Sequence, residues 1–455
     1  MSQLYIVSSL FFLTSLVYGD TLPVTNGEFP CIDDAVATRY MGDFQIDIDT
    51  FGGKELCKPK SEAKMLFDAL TLIEKGDFAT GGSNVFLKGL VGDHGYYDWM
   101  KKETRGMRRG NDNPIATAYN SMGYFTLQDG WVALASLGRV GTLIHEARHT
   151  EGYYHIVCTH GPYQGTSVSG CDSSLGYGGS HGVEMEYYAR VVVQGKNFHP
   201  AYQSMARLMA LGRGNFVFNQ SPIKSREALA LIDAQDHLIL FDGNKMITRA
   251  TPLVGDKRLK RTSFGATLFY PGSALALDLY STSQKDFALQ DDYSYFKFMR
   301  RPDHIGENAI DLQELDLGTN RYMTALQAGG TLLSYRFGKG EWSAPSTPIQ
   351  DAVRVFDTSP SGEHGVFVLT QNQKLYPYDP ASLKVGSALN ISWPELVLNY
   401  ATFSGKLLSL EQDGVVYLLQ GTKKEPFKPL EQGTFMQMIG VPLYDAFEVV
   451  PDVSI

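Results

Sequence analysis

The chain has 455 residues, of which 43% are apolar and 20% charged, with a net charge of −9 at neutral pH. That length accommodates two or three domains with cores of their own, and the composition excludes a disordered or fibrous chain. The acidic balance gives no general footing for nucleic acid, and beyond the N-terminal stretch no apolar run is long enough for a membrane helix. Residues 1–19 read as a removable export signal. Leu4 to Val17 is apolar but too short to span a bilayer comfortably, and Val17 and Gly19 sit at the −3 and −1 positions before Asp20. No Lys or Arg precedes the run, so an uncleaved anchor is the other reading. The four cysteines, Cys31, Cys57, Cys158 and Cys171, fit an oxidising, secreted or periplasmic setting. The sequence-local pairing, Cys31–Cys57 and Cys158–Cys171, closes two short loops without crossing domains.

From Asp20 to about Gly53 the pattern is mixed, with Phe44 to Ile48 alternating like a strand. Lys60 to Lys75 reads as an amphipathic helix with Ala63, Leu66, Leu70 and Ile73 on one face. Lys101, Lys102, Arg105, Arg108 and Arg109 cluster, as do Lys257, Arg258, Lys260 and Arg261; both groups read as solvated loops. Gly123 to Leu127 reads as a strand ended by Asp129-Gly130. A helix then begins near Leu137, with Leu137, Val140, Ile144 and Ala147 forming a buried stripe.

That helix carries His145 and His149, four apart and therefore on one face, close enough to share a metal ion. Glu146, one step round, is placed to take a proton from an attacking water. Gly152 follows His149 by three residues, where a chain leaving a helix sharply benefits from having no Cβ, and the turn brings His155 back. Three imidazoles and an open fourth position are the ligand set of a catalytic zinc, since structural sites close all four. The stretch His145 to His155 fills every fixed position of H-E-x-x-H-x-x-G-x-x-H and resembles the metzincin branch of the zinc metallopeptidases. The resemblance covers about a dozen residues. It implies an α+β zincin-like domain, Zn2+ on His145, His149 and His155, Glu146 as general base, and an edge strand along a substrate cleft.

The third ligand has rivals. Glu184 or Glu186 on the next helix would complete the His-His-Glu set of the other zincin branch, and His160 and His181 are further alternatives. Met185-Glu186-Tyr187 resembles the methionine turn of metzincins but falls in the first turn of a helix, where simple packing is the plainer reading. Tyr153, Tyr154, Tyr177, Tyr187 and Tyr188 are all candidates to steady an oxyanion. A bridge from Cys158 to Cys171 would stiffen the segment that delivers His155.

Cys158 to Gly182 reads as a long Gly- and Ser-rich loop beside the site, followed by helices over Val183–Gln194 and Pro200–Leu211. The domain boundary falls at Gly212-Arg213-Gly214. Beyond it four strand–turn–strand segments recur, turning at Asp236, Gly330, Gln373 and Gly414, with Ala274 to Leu277 after Pro271-Gly272 as a fifth. Repeats of about 40 residues carrying several strands point to a β-propeller. Five blades are expected, or six if Phe435 to Val450 contributes; a β-sandwich is the alternative. Sequons stand at Asn219 and Asn390, the first disfavoured by Pro222.

The sequence therefore divides into a signal (1–19), a zincin-like domain (20–213) and a propeller-like domain (214–455). The expected activity is zinc-dependent hydrolysis of peptide or related amide bonds, the propeller serving substrate or surface recognition by fold analogy. The alternative is a secreted, non-catalytic binding or adhesion protein with a structural metal site.

Overall fold

The computed structural model describes residues 30–445 apart from 59–60, 77, 79–85, 93–94, 111–116, 133, 135, 160–163, 165–168, 196–197, 199, 221, 224, 252–255, 263–264, 271–272, 282–286, 290–308, 317–320, 337–341, 346–347, 390–396 and 422. The export signal, His160, the turn at Pro271-Gly272, the end of the possible sixth repeat and the sequon at Asn390 lie outside the described residues.

The N-terminal part is helical around a small sheet. Helix α1 (Asp34–Asp43) starts at Asp33, whose carboxylate accepts hydrogen bonds from the amides of Ala35 and Val36. Phe44 to Ile48 is not a strand as its alternation suggests. Phe44 caps α1, Ile46 makes a single bridge to Met107, and a 3-10 turn follows at Ile48–Phe51. Local alternation lost because Gln45 takes a positive φ of 47° and the amide of Ile46 turns back to the carbonyl of Met41, which breaks the extended run. Helix α2 (Glu62–Lys75) is capped by Ser61 and buries the expected face, including Leu66, Leu70 and Ile73.

Helix α3 (Tyr96–Glu103) leads into β1 (Gly106–Arg109), then β2 (Ala118–Ser121) and β3 (Tyr124–Leu127). The order is β1-β3-β2, with β1 parallel and β2 antiparallel to β3. The strand read from Gly123 is thus central, and the antiparallel edge is β2. Met122 and Gly123 both have positive φ, the requirement of a two-residue hairpin turn whose twist matches its strands. The basic cluster here is solvated but is no loop: Lys101, Lys102, Arg105 and Arg108 are exposed on and between α3 and β1, and only Arg109 is drawn in, pairing with Glu62 at 2.8 Å.

After a short turn, α4 (Asp129–Val132), comes α5 (Ser136–Thr150), which buries Leu137, Val140, Leu143, Ile144 and Ala147. The loop after it contains a small hairpin, β4 (Ile156–Val157) with β5 (Ser169–Cys171), closed by the Cys158–Cys171 disulfide. Cys31–Cys57 forms the other bridge. Helix α6 (Ser180–Gln194) begins three residues before its expected start, which brings His181 onto it. Helix α7 (Pro200–Phe216) runs straight through the expected boundary at Gly212–Gly214. Gly214 is a packing residue there, since a Cβ would meet Ile223 at 2.3 Å. Strands begin at Ser225.

From that point the chain is mostly β, in many small sheets. Three sheets each use four consecutive antiparallel strands, spanning 309–343, 352–385 and 397–426. Arg258–Thr262, Gly265–Tyr270, Ser273–Ser281 and Phe287–Leu289 form another run of the same kind. Ser225–Asp233, His237–Phe241 and Met246–Ala250 take their fourth strand from the far end of the chain. That strand, Phe435–Asp445, completes the first sheet and does not start a further repeat. The four repeating turn residues, Asp236, Gly330, Gln373 and Gly414, all have positive φ.

One strand from each unit packs against its counterpart in the next, in a closed cycle through Arg258–Thr262, Ala309–Asp316, Ala352–Thr358, Val397–Phe403 and Phe435–Asp445. Polar side chains seal this cycle. Asp311 accepts from the amide of Val355, and Arg354 donates to the carbonyl of Leu398. Asn399 donates to the carbonyl of Met438, and Gln437 bonds the backbone of Lys257 and Leu259. Lys260 returns to Asp311 at 2.8 Å. Lys260 is therefore buried and paired, whereas the sequence placed it in a solvated loop. The helical part is packed onto these sheets through one apolar core that includes Val217, Phe218, Phe269, Leu312 and Met323.

Candidate metal centre

Helix α5 presents His145 and His149 from one face, and their rings lie 4.9 Å apart. The helix ends at Thr150, and Gly152 adopts φ +87°, the left-handed conformation that lets the chain turn back at little cost. Arg148 holds the turn in place. Its guanidinium donates to the carbonyl of Gly178, pairs with Glu151 at 2.5 Å and lies over the Tyr153 ring. His155 arrives 4.9 Å from the His145 ring and 4.8 Å from that of His149. One ring nitrogen from each histidine falls within 4.8 Å of the others.

Each ring has an acceptor beside Nδ1, though the His145 contact is too poorly placed to be a hydrogen bond. Nδ1 of His145 lies 3.4 Å from Glu184, that of His149 lies 2.6 Å from the carbonyl of Tyr153, and that of His155 lies 3.3 Å from Asp172. With acceptors beside Nδ1, the protons face them and Nε2 of His145 and His155 carries a bare lone pair, while Nε2 of His149 has the Ser180 hydroxyl at 3.5 Å. The Nε2 atoms of His145 and His155 then face each other at 3.0 Å. Two lone pairs at that separation repel unless a cation lies between them. The donor set, three neutral imidazoles, suits a first-row divalent ion such as zinc.

Electrostatics agree with neutral rings. Burial, with the neighbouring His181, holds His145 well below the usual histidine range, and burial with His155 takes His149 down to about 4. Burial pushes Glu146 up to about 8, with help from the charge of Glu184. A dication among the three rings would reverse that balance and leave Glu146 a carboxylate. Asp172 and Glu184 are driven the other way. Burial disfavours their charge, but the His155 hydrogen bond holds Asp172 low, and Arg213 with His145 and His181 holds Glu184 well below the carboxylate range.

The rival ligands separate cleanly. Glu184 stands on the Nδ1 side of His145, away from the Nε2 atom that faces His155, and its other oxygen takes Tyr188 and Arg213. Glu186 is turned away altogether, bound to the amides of Gly89 and Leu90 and to Arg190. Met185 is buried within α6 beside Gly214 of α7, so it packs the core and forms no turn beneath the rings. Among the five tyrosines, Tyr187 and Tyr188 are fully buried, Tyr153 is covered by Arg148, and Tyr177 is exposed but packs edge-on against Tyr153 at 5.5 Å. Tyr154 is 69% exposed and stacked 6.3 Å from the His149 ring.

Asp172 escaped the sequence reading. Its second oxygen accepts the amides of His181 and Gly182, so one carboxylate joins His155 to the start of α6. Only its place beside Cys171, whose disulfide partner is three residues past His155, offered a clue. Asn120 of β2 was also missed. It donates to the carbonyl of Glu146 and to Thr150, tying the edge strand to the helix that carries His145 and His149.

No known protein family matches the chain, and no curated relative was found. Among solved structures, similar ones include apo AztD from Citrobacter koseri (10% identity over 49% of this chain and 63% of that one, TM-score 0.25). Another is YCF48 bound to D1 peptide (12% identity, 50% and 91% covered, TM-score 0.26). A third is BBS1N in complex with ARL6DN (14%, 48% and 64%, TM-score 0.23). The chain thus spans about two thirds or less of the length of AztD and BBS1N. Superpositions this loose are too weak to argue from.

Proposed function

We propose that the protein is an exported, zinc-dependent hydrolase of peptide or related amide bonds, carrying a five-bladed propeller that recognises substrate or surface. The observation that carries this reading is the convergence of one ring nitrogen from each of three histidines, with Nε2 of His145 facing Nε2 of His155, beside a buried Glu146 whose carboxylate has no fixed partner among the described residues. A site meant only to brace a loop has no use for a buried carboxylate held free in this way. Two disulfides agree with export, and among the described residues no helix is long and apolar enough to cross a membrane. The closed cycle of strands and the C-terminal strand that completes the first sheet support five blades.

His145, His149 and His155 would hold the ion through Nε2. When bound, zinc supplies a Lewis acid that lowers the pKa of water toward neutrality and polarises a carbonyl. Glu146 takes the proton of the attacking water and hands it to the departing amine, a general-base contribution of ~10²–10⁴-fold. Tyr154, exposed beside His149, is the tyrosine available to donate to the developing oxyanion. The β2 edge, tied to α5 by Asn120, runs beside the helix that carries the histidines, where an extended substrate can lie.

The test combines metal content with turnover. Purified protein is expected to carry zinc and to cleave members of a broad peptide library. Glu146→Gln should keep the metal and lose ~10²-fold or more of the hydrolysis. His155→Ala should weaken zinc binding, and Glu186→Gln should leave it unchanged. Wild type that holds zinc and cleaves nothing, matched by a Glu146→Gln variant with identical binding, would replace the hydrolase by a binding or adhesion protein.

A further inference from the structure

A fourth histidine stands against the three. His181, on the first turn of α6, stacks on the His155 ring at 4.5 Å and lies 4.6 Å from the His145 ring. Its Nε2 faces the carbonyl of Gly170 at 3.1 Å and therefore carries the proton. That leaves Nδ1 a bare acceptor, and this atom is buried with no hydrogen-bond partner. The Glu184 Oε2 atom, 3.6 Å away, is likewise buried with no hydrogen-bond partner. Both residues are almost fully enclosed, His181 at 6% and Glu184 at 0% exposure. Two buried acceptors facing each other carry a desolvation penalty and mutual repulsion, and a cation between them removes both.

The third member is His145. Its Nδ1 lies 3.4 Å from the same Glu184 oxygen, and ligand atoms of His145, His181 and Glu184 fall within 4.8 Å of one another. With zinc–ligand bonds of about 2.0–2.1 Å, tetrahedral ligands stand roughly 3.3–3.5 Å apart, close to the 3.4 Å and 3.6 Å contacts of the Glu184 oxygen. Glu184 is braced for the task, because its other oxygen is occupied by Tyr188 at 2.8 Å and Arg213 at 2.8 Å.

We propose that His181, Glu184 and the Nδ1 face of His145 form a second site for a divalent transition cation. His145 then bridges two ions, one at each ring nitrogen, and the Nδ1 proton leaves to solvent when the second ion binds. The inference rests on the first centre only through the shared His145. Because His181 and Glu184 are enclosed, the second ion loads after the first and more slowly.

Apo full-length protein, titrated with zinc alone and desalted, should retain two equivalents, the second loading more slowly. His181→Gln should retain one, and His149→Ala should retain one at the second site. A single equivalent in wild type, unchanged in His181→Gln and lost in His149→Ala, overturns the second site while leaving the proposed function intact. Two equivalents that persist in His181→Gln also overturn it, placing the extra ion elsewhere. No bound zinc at all sinks both readings. If His181→Gln fails to fold by circular dichroism, cobalt-loaded wild type decides the matter. A shared imidazole couples the two ions and depresses the paramagnetic signal below that of two isolated centres; a signal equal to their sum rejects the bridge.

Discussion

Glu146 and His149 sit three positions apart on one helix and respond to burial with opposite signs. The folded state lifts Glu146 from its ordinary 4.5 to about 8 and lowers His149 from 6.5 to about 4. Without metal, the folded protein keeps a proton on Glu146 that the unfolded chain has already lost, so stability falls as pH rises from 4.5 to 8. His149 acts oppositely: the unfolded chain takes up its proton first, so stability falls as pH drops from 6.5 to 4. The two offset each other between 4.5 and 6.5, and above 6.5 the glutamate acts alone. Metal-free protein is therefore expected to lose roughly 2 kcal/mol between pH 6.5 and 8, read by urea denaturation. Glu146→Gln should flatten that slope; a slope that survives the substitution would belong to another group. Asp172→Asn tests the neighbouring claim. It keeps the shape of the side chain but weakens the hold on the His155 ring, and loss of such a partner typically costs 10–100-fold in metal affinity. Competition with a chromophoric chelator measures it, and an unchanged affinity would reduce Asp172 to a helix cap.

At the scale of elements, the site depends on how closely α5 and α6 approach. Gly141 lies one turn before His145, and a Cβ there would meet the Tyr188 hydroxyl at 2.0 Å and Glu184 at 2.8 Å. The glycine permits the contact that brings Glu184 to His145. Gly141→Ala should therefore cost about 1–3 kcal/mol by overpacking, seen as a lower melting temperature, and should weaken metal binding as Glu184 moves. A variant with wild-type stability and affinity would show that the two helices are free to separate. Gly152 is a different case, since nothing lies near its Cβ direction and its importance comes from φ alone. Spacing in the sequence made Gly152 legible as a turn. Nothing made Gly141 legible, because its neighbours come from a helix some forty residues on.

For the whole molecule, the decisive feature is closure. Phe435–Asp445 pairs along the length of Ser225–Asp233, and Gln437 fastens it to the backbone of Lys257 and Leu259. Removing residues from 435 onward would expose a long apolar strand edge and open the ring, a recognised route to aggregation. The truncated chain is expected to elute as aggregates on size exclusion, whereas Gln437→Ala should remain monodisperse with a modest fall in melting temperature. A monodisperse truncation with an unchanged melt would mean that the ring does not rely on this strand. The helical part shares one apolar core with the second and third sheets, so unfolding of the two parts should be coupled in calorimetry.

The sequence by itself determined what depends on near neighbours. The H-E-x-x-H spacing set two histidines on one face of α5, Gly152 supplied the turn, and the local cysteine pairs closed their loops. The four hairpin turns were readable for the same reason, each resting on positive φ at one residue or, at Gly329-Gly330, two. Tertiary structure alone decided what needs partners distant in the chain. It set Glu184 and Asp172 behind His145 and His155, turned Glu186 away to residues 89 and 90, and carried α7 through two glycines that looked like a stop. It also gave the last strand to the first sheet. Helix periodicity and turn chemistry are written in a few consecutive residues, whereas the acceptor that a buried side chain meets is settled by packing across the fold.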